Sequence, residues 1–258
     1  MQYDTILTSL ENGIGTVTLN RPEVMNALNR RMRAEARAAL EDLATRARVL
    51  VLTGSGRAFC SGQDLGDAQA ATQGDLEHVL RDEYVPLLKA IYDCPLPVIA
   101  AVNGVAAGAG ANLALAADVV IATESASFLQ AFARIGLIPD AGGTYWLPRQ
   151  VGFPRAMGAA LFAEPVPARQ AADWGMIWEA VPDTDFAAHV AARAARLAAG
   201  PTLAYRELKM ALRTGLSRDL DAQLALEAEA QGRCGQSWDF REGVSAFLAK
   251  RPARYEGR

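Results

Sequence analysis

The chain is 258 residues long, 51% hydrophobic and 21% charged, with a net charge of −3. That is enough to bury one large core or two unequal ones, and too acidic for a general affinity for nucleic acid or anionic membrane. No apolar run approaches the ~20 residues that span a bilayer, and Met1–Leu10 lacks the basic start and apolar stretch of a signal peptide.

Cys60, Cys94 and Cys234 are too few and too scattered for a disulfide framework, so a cytoplasmic protein is expected. His78 and His189 are the only histidines and each stands alone, which argues against a Ser-His-Asp hydrolase. No His/Cys/Asp group has metal-ligand spacing. The chemistry must rest on carboxylates, backbone groups or a cofactor.

In chain order, apolar and polar residues alternate over Tyr3–Leu10 and again over Ile14–Asn20, with Asn12-Gly13 between them, a hairpin signal. Arg21-Pro22 stops the second strand. From Asn29, a cap by type, the period becomes helical, with Met32, Ala36, Ala39, Leu40 and Leu43 on one face. The run Arg30, Arg31, Arg33 reads as the solvated side of that helix rather than an anion site. Arg48–Thr53 is an apolar run of buried-strand type. It ends in Gly54-Ser55-Gly56 and a loop through Asp67, before a helical stretch near Asp75–Tyr92.

The order then recurs. Pro97–Val102 is a second buried strand, Asn103–Ala111 a glycine- and alanine-rich loop opening a short helix to Ala116, and Asp118–Ala122 a third strand. Strands followed by helices predict an α/β coil of sheet and helix rather than a sandwich. Beyond Tyr145 the chain reads as mainly helical, broken by a strand at Met176–Val181. Helices are predicted at Ala187–Ala199, Thr202–Thr214, Leu220–Gly232 and Phe240–Lys250. Their apolar faces need cover, from the core, from another subunit, or from both.

Two glycine-rich loops follow buried strands, GRAFCSGQDL (Gly56–Leu65) and AVNGVAAGAGAN (Ala101–Asn112). Each can present free backbone N–H groups, and the second opens a helix. Two other readings stand beside this one. A dinucleotide loop would start as Gly54-Ser55-Gly56 does, but Phe59 stands where its third glycine belongs. Tight turns with close helix packing would account for Gly104 and Gly108, less readily for two such loops in one chain.

GRAFCSGQDL and PVIAAVNGVAAGAGANLALAADVVIA resemble the signatures of the crotonase (enoyl-CoA hydratase/isomerase) superfamily. FARIGLIPDAGGTYWLPRQVG and the tail REGVSAFLAKR are similar to it as well, so the resemblance covers essentially the whole chain. It implies a spiral of strand-strand-helix turns over residues 1–195, carrying CoA and the active site. A C-terminal helical oligomerisation region over 196–258 would follow, assembling a homotrimer or homohexamer. The implied partner is an acyl-CoA substrate. No metal is implied, and no cofactor, CoA entering as part of the substrate.

Carried over by position, the resemblance puts two oxyanion-hole donors on the backbone N–H groups of Gln63 and Ala109. Proton abstraction beside a thioester pushes negative charge onto its carbonyl oxygen, and one preset donor there is worth ~3 kcal/mol of barrier. Because the main chain donates, these side chains need not be special. CoA contacts are implied from Met25 to Leu28, Ala27 included, and from Ser61, Gly62, Gln63, Asp64 and Leu65. Gly108, Ala109, Phe132, Tyr145 and Trp146 would line the acyl site, with a neighbouring subunit's Phe247 and Lys250 near CoA.

Hydratases of the superfamily usually carry glutamate at two places that fall here on Asn112 and Phe132, and neither can exchange a proton. Asp140 stands where hydratases usually have glycine. Alone it reads as an N-cap before Gly142-Gly143-Thr144. In a site that lacks both glutamates it reads as the single acid/base, its pKa raised by apolar neighbours. VNGVAAGAGA, GLIPD, WGMIW and REGVSAFLAKR look narrower still, like isomerases that turn ring-1,2-epoxyphenylacetyl-CoA into an oxepin-CoA in bacterial phenylacetate catabolism. The expected function is therefore an acyl-CoA isomerase of that kind. A Δ3,Δ2-enoyl-CoA isomerase of fatty-acid oxidation is the alternative, ahead of a hydratase and of a non-catalytic binding protein.

Overall fold

In the computed structural model, which describes residues 3–64, 66 and 76–258, the chain opens with a hairpin. Its strands are β1 (Ile6–Glu11) and β2 (Ile14–Leu19), and Asn12 and Gly13 turn the corner at φ 51° and 78°. That left-handed pair is the turn whose twist matches paired strands. Helix α1 (Arg30–Ala44) follows, capped as predicted: the Asn29 side chain accepts from Met32 N at 2.8 Å. Met32, Ala36, Ala39, Leu40 and Leu43 are its buried face.

One part of the α1 reading is corrected. The Arg30 and Arg31 side chains are 84% and 61% exposed, but that of Arg33 is only 3% exposed. Helical spacing explains this: Arg33 lies three residues before Ala36 and seven before Leu40, on the buried face. Its charge is matched by Glu83, which accepts from Arg33 Nε at 2.9 Å.

From here the chain coils. Strand β3 (Val49–Gly54) leads to β4 (Ala58–Cys60), and α2 follows as a short helix (Leu76–Val79), a π-helical turn (Leu80–Tyr84) and a longer helix (Val85–Tyr92). Next come β5 (Val98–Val102), β6 (Val105–Ala107) and α3 (Ala109–Leu115), then β7 (Val119–Thr123), β8 (Ser127–Leu129) and a 3-10 turn (Ala131–Ile135). Each turn thus lays one strand in a large sheet and one in a small sheet. After α4 (Gly143–Val151) and α5 (Phe153–Phe162), β9 (Val166–Pro167) joins the small sheet. Helix α6 (Ala168–Asp173) leads to β10 (Glu179–Val181).

The large sheet runs β1-β2-β3-β5-β7-β10, parallel except for the first pair, and the small one runs β4-β6-β8-β9. Strand β3 shows why such strands read as unbroken apolar runs. Leu50 and Leu52 enter the main core with α1, while Val49 and Val51 meet Ile99, Ile121 and the Val190, Ala194 and Ala198 side chains of helix α7 (Phe186–Ala198). Both faces are covered, so neither needs polar residues. The predicted strand at Met176–Val181 shortens to Glu179–Val181, because Met176 and Ile177 reach the core from a turn.

Helices α8 (Thr202–Gly215), α9 (Leu220–Gly235) and α10 (Trp238–Leu248) complete the chain. Lys209 and Arg213 of α8 each reach Asp118 at 2.7 Å, and Arg48 donates to Gly200 O at 2.6 Å and Tyr255 O at 3.0 Å. Among the described residues no helix is long and apolar enough to cross a membrane. Leu65, Asp67 and Asp75, named above, lie outside the described residues.

Candidate active site

The first glycine-rich loop is zipped to residues 24–28. Ser61 N donates to Met25 O at 3.0 Å, Leu28 N to Gly62 O at 2.7 Å, and Asp64 N to Leu28 O at 3.2 Å. A peptide group is planar and trans, so its N–H points opposite to its C=O. With Gly62 O tied to Leu28, the Gln63 N–H is aimed away from that strand. Arg21 braces the zipper from outside, pairing with Asp64 and donating to Ala27 O at 2.8 Å. Asn26 braces it from inside: wholly buried, it donates to Ser55 O and Ala58 O and accepts from Arg21 N.

The second loop meets the first at Gly62. A Cβ on Gly62, whose φ is +98°, would sit 2.9 Å from Ala107 O and 3.6 Å from Ala109 N. Only glycine permits that approach. Gly108 then turns at φ 53° and ψ −128°, held by its own N–H to Leu129 O at 2.8 Å, and α3 begins at Ala109. A first helical residue has no intrahelical acceptor for its N–H. The fold therefore places the Gln63 and Ala109 N–H groups on adjacent loops. The Phe132 ring stands beside them, its Cζ 3.8 Å from the position of a Gly108 Cβ.

Asp140 arrives from the turn beyond the 3-10 helix. The next two residues, Ala141 and Gly142, both take positive φ, 49° and 82°. Asp140 O accepts from Gly143 N at 2.8 Å and from Asn112 Nδ2 at 2.7 Å, while Asn112 Oδ1 accepts from Gln130 Nε2 at 2.8 Å. Asn112 lies one helical turn after Ala109, so α3 carries a free N–H at its start and the brace for Asp140 on the same face. Trp146 Nε1 pins the turn from the other side, donating to Ala141 O at 3.2 Å.

The Asp140 carboxyl takes no part in that brace, which goes to its main-chain oxygen. Its Oδ1 is buried without a hydrogen-bond partner, and burial pushes its pKa up to about 6. Desolvation disfavours the charged form, which is the condition for a carboxylate that both takes and returns a proton near neutrality. The capping role is not realised: α4 is capped by Gly142, without a side-chain bond. Cys60, beneath the first loop, is fully buried and its thiol is pushed up to about 12, which leaves it protonated and unreactive. Among the described residues no group of three His, Cys, Asp or Glu side chains could hold a metal.

Met25, Ala27, Ser61, Gly62, Gln63, Asp64, Gly108, Ala109, Phe132 and Asp140 are thus distributed over four adjoining segments. Tyr145 does not join them. Gly143 packs on Asn112, and two residues further along a helix is more than half a turn round, so Tyr145 faces Tyr92 and Arg149 in a separate cleft beside α8. Phe247, 82% exposed, borders the groove between α8, α9 and α10, and Lys250 is exposed just past α10. Sequence reasoning missed the buried polar frame of Asn26, Arg33, Tyr84 and Gln130. Of these only Arg33 left a signal, its register with Ala36 and Leu40.

The chain matches the enoyl-CoA hydratase/isomerase family over residues 9–258. It belongs to that family. The crotonase fold and an acyl-CoA substrate come with the membership. A Rhodobacter capsulatus member named "Probable enoyl-CoA hydratase" is 66% identical over all of both chains. The 1,2-epoxyphenylacetyl-CoA isomerase of Escherichia coli K12 is 47% identical, over 98% of each chain. Among solved structures, an enoyl-CoA hydratase from Bacillus anthracis superposes with a TM-score of 0.92 at 31% identity, over 99% of this chain and all of that one. The family thus contains hydratases and isomerases, and the site must divide them.

Proposed function

We propose that this family member is an acyl-CoA isomerase in which Asp140 is the single acid/base, with the main-chain N–H groups of Gln63 and Ala109 binding the thioester oxygen. The observation that carries the reading is the Asp140 carboxyl, buried, unpartnered at Oδ1 and raised to a pKa of about 6. Asn112 and Phe132, at the positions where hydratases carry glutamate, offer no second proton-exchanging group, and Asn112 is already spent on Asp140 O and Gln130. Water addition by two carboxylates lacks its parts.

An isomerisation conserves atoms, so one base suffices. Asp140 takes the proton next to the thioester, the two N–H groups hold the enolate oxygen, and the proton returns to another carbon of the same ligand. No cofactor is called for. The leading substrate is ring-1,2-epoxyphenylacetyl-CoA, giving an oxepin-CoA in phenylacetate catabolism; the E. coli relative that acts on this epoxide supports it. A straight 3-enoyl-CoA is the second reading, since the same single base serves it.

Purified protein should be offered the ring epoxide, a straight trans-3-enoyl-CoA and crotonyl-CoA. The epoxide is expected to turn over best and crotonyl-CoA to be hydrated slowest. Rapid hydration of crotonyl-CoA without isomerisation of either other ligand would sink the proposal and favour the function in the name of the R. capsulatus relative.

A further inference from the structure

The Gln63 side chain is not idle. Its Oε1 accepts from Arg33 Nη1 at 2.9 Å and from the Tyr84 hydroxyl. The same Arg33 Nη1 donates to Leu28 O at 2.7 Å. Leu28 N in turn holds Gly62 O, the bond that aims the Gln63 N–H. One buried nitrogen therefore ties the Gln63 side chain to the residue that orients its main chain.

We infer that Arg33 and Tyr84 are positioning residues that fix the Gln63 N–H donor by clamping the Gln63 side chain between α1 and α2; this rests on the proposed role of that N–H toward the thioester oxygen. Side chain and main chain are two handles on one residue. The zipper holds Gln63 through its neighbours, Gly62 O on Leu28 N and Asp64 N on Leu28 O. The bonds to Oε1 hold Gln63 itself. The clamp is itself braced. The Arg33 guanidinium binds Glu83 and lies 4.8 Å over the Tyr84 ring, and both partners come from the π-helical turn in α2. A π turn brings an extra residue to the inner face, and such turns recur at functional sites.

Stability alone explains the arrangement poorly. A buried ion pair competes badly with apolar residues of the same volume, whereas it does hold a fixed geometry. A donor to a developing oxyanion must stand within about 2.7–3.1 Å of it, and a displacement of ~1 Å costs ~100-fold in rate. Arg33 and Tyr84 are each 3% exposed and spend their polar atoms on Gln63, Leu28 and Glu83.

The test reads carbonyl polarisation directly. The full-length protein is mixed with 4-(dimethylamino)cinnamoyl-CoA, whose absorbance moves to longer wavelength as its thioester oxygen accepts stronger hydrogen bonds. Wild type should shift it. Tyr84→Phe and Arg33→Met should shift it less, and should lower kcat for the isomerised ligand ~10- to 100-fold with KM within about threefold. Arg33→Lys keeps the charge without the planar fork and should recover only part of the loss. Variants that lose melting temperature but keep the wild-type spectral shift and kcat overturn the clamp. Should Arg33→Met not fold, Tyr84→Phe decides alone. A wild-type protein that leaves the probe unshifted removes the oxyanion role of Gln63, and the clamp with it.

Discussion

Asn112 holds Asp140 by the main chain, its Nδ2 donating to Asp140 O at 2.7 Å, and leaves the carboxyl unbound at Oδ1. The division matters because the turn is fixed while the carboxyl remains able to titrate. Asn112 is wholly buried and Gln130 Nε2 leans on its Oδ1. Asn112→Ala would strand the buried Gln130 amide at about 1–3 kcal/mol and leave Asp140 O with the Gly143 N–H alone. The variant should melt at lower denaturant concentration, and its turnover should fall ~10- to 100-fold although no proton-exchanging group has been removed. Wild-type turnover in a folded Asn112→Ala protein would mean that the turn holds itself.

The raised Asp140 pKa fixes the pH dependence. As a base the carboxyl must be ionised, so kcat/KM is expected to climb through about pH 6 and level off above it. Stability runs the other way. The folded state binds the proton more tightly than the unfolded chain, so stability should fall as pH rises from the ordinary aspartate value through the folded one. A pH-rate profile level down to pH 4.5 would show that Asp140 is not the group whose ionisation limits the rate.

Assembly is expected from the C-terminal helices. Leu212 and Leu216 of α8 are 66% and 64% exposed, and Phe247 and Leu248 of α10 are 82% and 75% exposed. Large apolar side chains clustered in this way mark contact surfaces. Light scattering should report a trimer or hexamer, and Phe247→Glu with Leu248→Glu should weaken it. A clean wild-type monomer at micromolar concentration would leave the helices uncovered and end the expected role of a neighbouring subunit's Phe247 and Lys250.

The Gln63 donor has its own pair of variants. Gln63→Pro deletes the N–H and strains the zipper, so turnover should vanish. Gln63→Ala keeps the N–H and loses only the side-chain anchor, so it should retain measurable turnover, within ~100-fold of wild type. Equal losses would place the role in the side chain.

The large sheet and the helices were legible because β3 is long enough to stand out as an apolar run and α1 long enough to show a helical period. Strands β4, β6 and β8 have three residues each and show none. GRAFCSGQDL consequently read as loop throughout, and the small sheet went unseen. The Asn29 cap was legible, since a cap is local. Arg33 was misread because three arginines in four positions look like a solvated face, and its partner Glu83 lies fifty residues away. Asp140 was found by what Asn112 and Phe132 lack. Its raised pKa was expected from apolar neighbours, while the missing partner at Oδ1 belongs to the tertiary structure. Tyr145 was carried over from the resemblance, and α4 turns it into the cleft beside α8.

Asp140→Asn is the variant on which the proposal stands. Asparagine keeps the size of the side chain, and no cap bond is lost, since α4 has none from Asp140. The brace from Asn112 goes to the main chain and survives. At neutral pH the wild-type carboxylate bears a desolvation cost that the amide escapes, so the variant should be as stable or more stable, by on the order of 1–2 kcal/mol after solvent screening. That gain should shrink as the pH is lowered below about 6, where the wild-type carboxyl takes up its proton. Catalysis moves in the opposite direction. An amide cannot accept the proton, so turnover should drop at least ~1,000-fold, with acyl-CoA affinity changed less than about tenfold because the loops do the binding. Calorimetry, a thermal melt and steady-state kinetics on one preparation give all three readings. Near-normal isomerisation by the folded variant would remove Asp140 from the chemistry.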